Sequence, residues 1–200
     1  MTRIKICGLM RTADAEILNA VRPDFAGMIL SPGFRRSVSA ETAAAIRQAL
    51  DPAIPAVGVF VNATFQHITE CAEAGIIQYV QLHGDEDNIF LRGLRFSCGL
   101  PVIQAFRIRS GDDLRRAAES EADYILLDSG TGTGKSFDHA LLDGFPRPYL
   151  LAGGLTPENV CDVIRQRHPL GVDVSSGVET DGVKDAEKIR AFVKAIRNAE

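Results

Sequence analysis

Tyr149-Leu150-Leu151-Ala152-Gly153-Gly154-Leu155-Thr156-Pro157-Glu158-Asn159, YLLAGGLTPEN, sets the pattern for the whole chain. Its apolar start is short and does not alternate with polar residues, which is how a strand buried on both faces reads. The run stops on two glycines. Thr156 then offers a capping side chain, and Pro157 carries the fixed φ suited to a first helical position. A strand, a glycine turn and a helix start follow one another directly.

Seven further apolar runs repeat the strand half of this unit: Ile4–Cys7, Phe25–Leu30, Ala56–Val61, Tyr79–Leu82, Val102–Phe106, Tyr124–Asp128 and Val172–Val174. Helix-like stretches lie between them. Ser39 precedes a helix-forming run to Leu50, Thr64–Ala74 ends at Gly75, and Gly111–Ser120 opens with two aspartates at the positive end of a helix dipole. Lys184–Asn198 is a long amphipathic segment at the end of the chain. Gly93 interrupts the pattern of Asp85–Cys98.

Eight strand–helix units in 200 residues, with no composition break and no low-complexity linker, predict one domain spanning residues 1–200. The expected fold class is α/β, a single-domain (β/α)8 TIM barrel, with an open doubly wound sheet as the competitor. At about 25 residues per unit the barrel is compact for its kind.

The formal net charge of −4 gives no basic excess for nucleic acid. The N-terminus lacks an apolar signal region, and no stretch is long and apolar enough to span a bilayer, so a cytoplasmic protein with no membrane partner is expected. Cys7, Cys71, Cys98 and Cys161 are scattered, with neither a CxxC pair nor metal-ligand spacing. Each thiol is therefore read alone, as core filler or as chemistry.

In such a barrel the chemistry gathers at the C-terminal ends of the strands. Strand one ends on Cys7-Gly8, strand two leads into Ser31-Pro32-Gly33-Phe34-Arg35-Arg36, and strand four ends Gln81-Leu82-His83-Gly84. Gln104, Arg107 and Arg109 fall at or after strand five, Asp128 ends strand six, and Asp173-Val174-Ser175-Ser176-Gly177 ends strand eight. Gly153 and Gly154, with Ser175, Ser176 and Gly177, form the expected phosphate cradle. Glycines let backbone N–H groups approach an anion, serines add hydroxyl donors, and barrels use the loops after strands seven and eight in this way. Gly130–Lys135 resembles a P-loop only superficially. It reads either as a lid over the mouth or as a plain surface loop.

Cys7 shares the inward face of strand one with Lys5, a cation that favours a thiolate. Asp128 closes an apolar run, where partial desolvation can leave a carboxyl protonated and able to act as a general acid. The bland readings are a core thiol and a loop-capping aspartate. A thiolate base and a carboxylic acid on two sides of a ligand can shuttle protons without a metal or redox cofactor, which is isomerase chemistry. Nucleophilic use of Cys7 would want a histidine partner. His67, His139 and His168 do not fall at strand ends, whereas His83 does.

Several stretches occur here in one order: Lys5-Ile6-Cys7-Gly8, Gly58-Val59-Phe60-Val61-Asn62, Val80-Gln81-Leu82-His83-Gly84, Leu126-Leu127-Asp128, Gly132-Thr133-Gly134-Lys135-Ser136-Phe137-Asp138, Ala152–Val160 and Val172–Glu179. Together they resemble phosphoribosylanthranilate isomerase of tryptophan biosynthesis. The resemblance implies an Amadori rearrangement of N-(5-phosphoribosyl)anthranilate, a small phosphorylated substrate. It implies Asp128 as general acid at the ring oxygen and Cys7 as general base at sugar C2, with no cofactor. By the same resemblance Arg36, or its neighbour Arg35, holds the anthranilate carboxylate. Asp173 faces the substrate amine, and Gln81 and His83 line the site. The chain departs from the family pattern at His139, where tryptophan is common, and at Gly33-Phe34 ahead of the arginines. Another sugar-phosphate barrel isomerase and a non-catalytic sugar-phosphate sensor remain as alternatives. The oligomeric state stays open between a monomer and a homodimer.

Overall fold

The structure, a computed structural model, describes residues 1–129 and 142–199. Eight strands close into a barrel in sequence order: β1 (Arg3–Cys7), β2 (Phe25–Ile29), β3 (Ala56–Phe60), β4 (Tyr79–Leu82), β5 (Val102–Arg107), β6 (Tyr124–Asp128), β7 (Tyr149–Ala152) and β8 (Gly171–Val174). Every neighbouring pair is parallel, and β8 closes onto β1 through Arg3↔Gly171 and Lys5↔Asp173. The helices are α1 (Thr12–Val21), α2 (Ala40–Ala49), α3 (Phe65–Glu73), α4 (Asn88–Ser97), α5 (Gly111–Glu119), α6 (Val160–Arg167) and α7 (Ala186–Asn198). The predicted TIM barrel is thus the observed fold.

The strand period of two sorts each run into two cores. Ile4, Ile6, Met28, Phe60 and Leu82 pack outward, in one cluster with Leu18, Ile46, Ile68, Leu91 and Phe192 of the helices. The alternate positions fill the barrel with Phe25, Val57, Ile103, Leu126 and Leu150. At the N-terminal end the filling is aromatic. Phe25 meets Tyr79 edge-on at 5.1 Å, Tyr124 lies 6.1 Å from Tyr79, and the Arg3 guanidinium stands 5.3 Å from the Tyr124 ring centre. Arg3 also donates to the Tyr124 hydroxyl at 2.9 Å. The inward positions nearer the other end carry Lys5, Cys7, Gln81, Asp128 and Asp173, so the same alternation that builds the core aims the polar residues at the mouth.

Capping follows the sequence in most places. Ser39, Thr64 and Ser110 each accept from a first-turn N–H of α2, α3 and α5. Three expectations are corrected. The helix after β7 starts at Val160 rather than at Pro157, because Thr156–Asn159 forms a separate turn in which Asn159 Oδ1 accepts from the Thr156 N–H at 2.8 Å. Gly93 does not break α4. A Cβ there would stand 3.0 Å from the Phe65 ring, so the bare position lets α3 and α4 approach. Gln104 turns away from the mouth, donating to Glu86 O at 2.6 Å and accepting from Ser120.

Two elements lacked a sequence reading. Helix α1 is anchored by buried Asp14, which accepts from the Met10 and Arg11 N–H groups and from the Arg11 guanidinium. After β8, a 3-10 turn at Ser176–Val178 leads into a hairpin of β9 (Glu179–Thr180) and β10 (Val183–Lys184). Asp181 and Gly182 link the two strands with φ of 51° and 80°, the all-positive turn that Asp-Gly favours. The candidate lid at Gly130–Lys135, the Gly132–Asp138 motif and His139 lie outside the described residues. Among the described residues no helix is long and apolar enough to cross a membrane.

Candidate active site

A cavity of about 1210 Å³ opens at the C-terminal ends of the strands. It is lined by Arg36, Gln81, His83, Asp128, Asp173, Gly153, Gly154, Ser175, Ser176 and Gly177, which unites ten of the predicted site residues. Cys7, the eleventh, is not part of the lining. It lies at the barrel's inner wall with 7 % of its surface exposed. Gly8 directly after it has a φ of 81°, and a Cβ there would stand 2.6 Å from Arg36 Cδ and 3.0 Å from Ser175 Oγ. The backbone leaving Cys7 is thereby wedged between the arginine arm and the loop after β8.

The electrostatics around Cys7 are those of a buried charge cluster. Lys5 is fully buried and donates to Asp173 Oδ1 at 3.0 Å. Burial alone would lower the Lys5 ammonium, but Asp173 and Cys7 outweigh it and hold the charge above its usual range. Burial raises the Cys7 thiol, and the Lys5 ammonium opposes that rise. Burial likewise raises Asp173, again opposed by Lys5. Cations at Lys5, Arg36 and Lys184 all act on Cys7.

On another side of the cavity, His83 Nε2 lies 3.5 Å from Asp128 Oδ2. Gln81 is buried, and among the described residues its Oε1 and His83 Nε2 have no hydrogen-bond partner. An unsatisfied buried acceptor on the cavity wall, such as Gln81 Oε1, suits a polar ligand. The other described histidines are structural. His67 bonds Leu30 O at 2.9 Å, and His168 ends α6 in the left-handed region.

The two loops of the expected cradle meet. Gly153 and Gly154 have φ of 102° and 65°, which turns the chain sharply after β7. Gly177 approaches so closely that a Cβ would overlap the Leu155 carbonyl oxygen. Ser175 and Ser176 therefore share one rim with Gly153 and Gly154.

Arg36 and Arg35 both point at Glu179. Oε1 of Glu179 accepts from Arg36 Nε at 2.6 Å and from Lys184 Nζ at 2.7 Å. Oε2 accepts from Arg36 Nη2 at 2.8 Å and from Arg35 Nη2 at 2.9 Å. Burial works against the Glu179 charge, but these bonds outweigh it and pull its pKa from 4.5 to about 2. Arg36 reaches the cavity and is 18 % exposed, whereas Arg35 is 61 % exposed and does not line it. Glu179 and Lys184 had no role in the sequence reading. The Asp181-Gly182 pair was the available signal, since it predicts a hairpin that brings them together.

The cavity therefore gathers a carboxyl group, a guanidinium and a glycine–serine rim, with a buried thiol among cations behind its wall. Comparison with known proteins points the same way. A family model described as N-(5'phosphoribosyl)anthranilate (PRA) isomerase matches residues 4–195. The N-(5'-phosphoribosyl)anthranilate isomerase of Endomicrobium trichonymphae is 40 % identical over 203 residues, covering 99 % of this chain and all of that protein. The crystal structure of phosphoribosyl anthranilate isomerase from Thermotoga maritima superposes with a TM-score of 0.89 at 36 % identity, covering 99 % of this chain and 100 % of that one. A structure of such an isomerase in complex with reduced 1-(o-carboxyphenylamino)-1-deoxyribulose 5-phosphate gives 0.87 at 35 % identity, with 99 % and 100 % coverage. With barrel, cavity and near-complete sequence matches in agreement, the chain belongs to the N-(5'-phosphoribosyl)anthranilate isomerase family of enzymes.

Proposed function

We propose that this cavity carries out the Amadori rearrangement of N-(5'-phosphoribosyl)anthranilate to 1-(2-carboxyphenylamino)-1-deoxyribulose 5-phosphate, a step of tryptophan biosynthesis. Asp128 gives its proton to the furanose ring oxygen as the C1–oxygen bond breaks, and the nitrogen lone pair forms a protonated Schiff base. The Cys7 thiolate then removes the proton on C2, and those electrons flow to the nitrogen to leave an enolamine. Tautomerisation moves the hydroxyl proton of C2 to C1 and yields the ketone, so no atom is gained or lost.

Arg36 holds the anthranilate carboxylate, Gly153, Gly154, Ser175, Ser176 and Gly177 hold the phosphate, and Asp173 faces the amine. Gln81 and His83 bind sugar oxygens. The observation that carries this reading is the placement of Asp128 and Arg36 on the cavity that the cradle loops close, with Cys7 next to Arg36 through Gly8 and Lys5 of the same strand bonded to Asp173 of the lining.

Freshly made phosphoribosylanthranilate tests it. Its fluorescence should decay with enzyme present, and should still do so in EDTA. Cys7→Ser should retain a trace of turnover, because a hydroxyl is a far weaker base than a thiolate, and Asp128→Asn should be nearly inactive. General acid–base groups contribute roughly 10²- to 10⁴-fold each. Wild-type turnover in both variants would overturn the assignment.

A further inference from the structure

We infer that Glu179 and Lys184, facing each other across the β9–β10 hairpin, are positioning residues that aim Arg36 at the substrate carboxylate. The inference deepens the proposed function and rests on its reading of Arg36.

The Arg36 guanidinium is planar and carries five N–H donors in a fixed fork. Glu179 takes the edge formed by Nε and Nη2, at 2.6 and 2.8 Å. The adjoining edge, Nη1 and the second N–H of Nη2, has no partner among the described residues and can take a second planar carboxylate. Which way that edge points is set by where Glu179 sits. An arginine held only at its loop would lose its rotamer freedom on binding; this one loses it on folding.

Glu179 cannot be there merely to neutralise Arg36. It accepts from Arg36, Arg35 and Lys184 at once, three cations against one anion. The cluster keeps a surplus of positive charge beside the cavity, which suits an anionic ligand. Nor is it an economical way to stabilise a fold. The side chains of Glu179 and Lys184 are 4 % and 0 % exposed, and burying ions costs about as much as their pairing returns. Orientation is what such a buried network supplies.

The hairpin is built for the same end. Glu179 and Lys184 are a directly opposed cross-strand pair. The turn that joins them passes under Arg35, where a Cβ on Gly182 would stand 2.6 Å from Nη1. Lys184 Nζ also donates to Ser175 O at 2.9 Å. One ammonium thus ties the arginine arm to the cradle loop and fixes the spacing between the two anion sites. Burial lowers the Lys184 ammonium and Glu179 supports it, so each member of the pair depends on the other.

Two ligands that differ only in the carboxylate test this. One is reduced 1-(o-carboxyphenylamino)-1-deoxyribulose 5-phosphate; the other is its anilino counterpart, phosphorylated but without the carboxylate. Both are titrated by calorimetry against wild type, Arg36→Ala, Glu179→Gln and Lys184→Met, with folding followed by circular dichroism. Wild type should prefer the carboxylated ligand, and Arg36→Ala should lose that preference. Glu179→Gln and Lys184→Met should each cut the preference roughly tenfold, the size of a charge-assisted hydrogen bond, and Glu179→Gln should bind the anilino ligand almost as wild type does. Glu179→Gln is nearly isosteric and carries the test alone if Lys184→Met does not fold. Retention of the wild-type preference in a folded variant overturns the inference, as does an equal loss for both ligands, which would mark a purely structural role. A wild type that shows no preference instead overturns the reading of Arg36, a separate failure.

Discussion

At Cys7 two effects oppose each other. Burial pushes the thiol up, and the Lys5 ammonium, itself held charged by Asp173 at 3.0 Å, pulls it down; burial wins. The base form therefore grows as pH rises, and it does so above the ordinary thiol range. kcat/KM reports groups of the free enzyme, so its rising limb should still be climbing between about pH 7 and 9. A pH–rate profile already flat across that interval would show that Cys7 is not the base. The position of Cys7 and Asp128 was legible because each closes an apolar run, where a polar residue has no packing reason to be. Glu179 was not legible as a residue of consequence. Its partner Arg36 lies 143 positions away, and nothing local in Val178-Glu179-Thr180 announces that contact.

Among elements, the strands were readable nearly to the residue. A run buried on both faces is mostly apolar, so its ends are marked where the apolar residues give out. Tyr79–Leu82, Tyr124–Asp128 and Tyr149–Ala152 coincide with β4, β6 and β7. Helix starts were less secure. Thr156-Pro157 has the composition of a helix start but forms a turn, because Asn159 takes the Thr156 N–H that a helix would leave open. Helix α1 escaped because its anchor is Asp14 reaching back to Arg11, not a capping residue ahead of it. The short β9 and β10 are too brief to show alternation. The loops after β7 and β8 make a prediction at this scale. Gly177→Ala would drive a methyl into the Leu155 carbonyl and push the two loops apart. Its KM for the phosphorylated substrate should rise roughly tenfold or more, with kcat changing less, on the scale of a lost charge-assisted phosphate contact. An unaltered KM would mean that the paired loops do not hold the phosphate.

Across the whole molecule, the Glu179 cluster should make stability sensitive to acid. The carboxyl sits at about 2 in the folded chain against 4.5 when free. A depressed carboxyl stabilises the fold above its unfolded value, and that contribution disappears as pH falls from about 4.5 towards 2. At 1.36 kcal/mol per unit the upper bound is about 3 kcal/mol. Asp173, raised by burial, works in the opposite sense, so the comparison must be between wild type and Glu179→Gln. The gap between their urea-unfolding free energies should shrink over that acid interval. A gap that stays constant with pH would show that the Glu179 charge contributes nothing to folding.

The plug of Arg3, Phe25, Tyr79 and Tyr124 at the N-terminal end has a consequence for the cavity at the other end. Rings packed against one another, with a cation laid against them, fill that end of the barrel and put its floor opposite the mouth where the cavity opens. A ligand seated in the cavity thus rests above an aromatic base that the strands themselves hold in place.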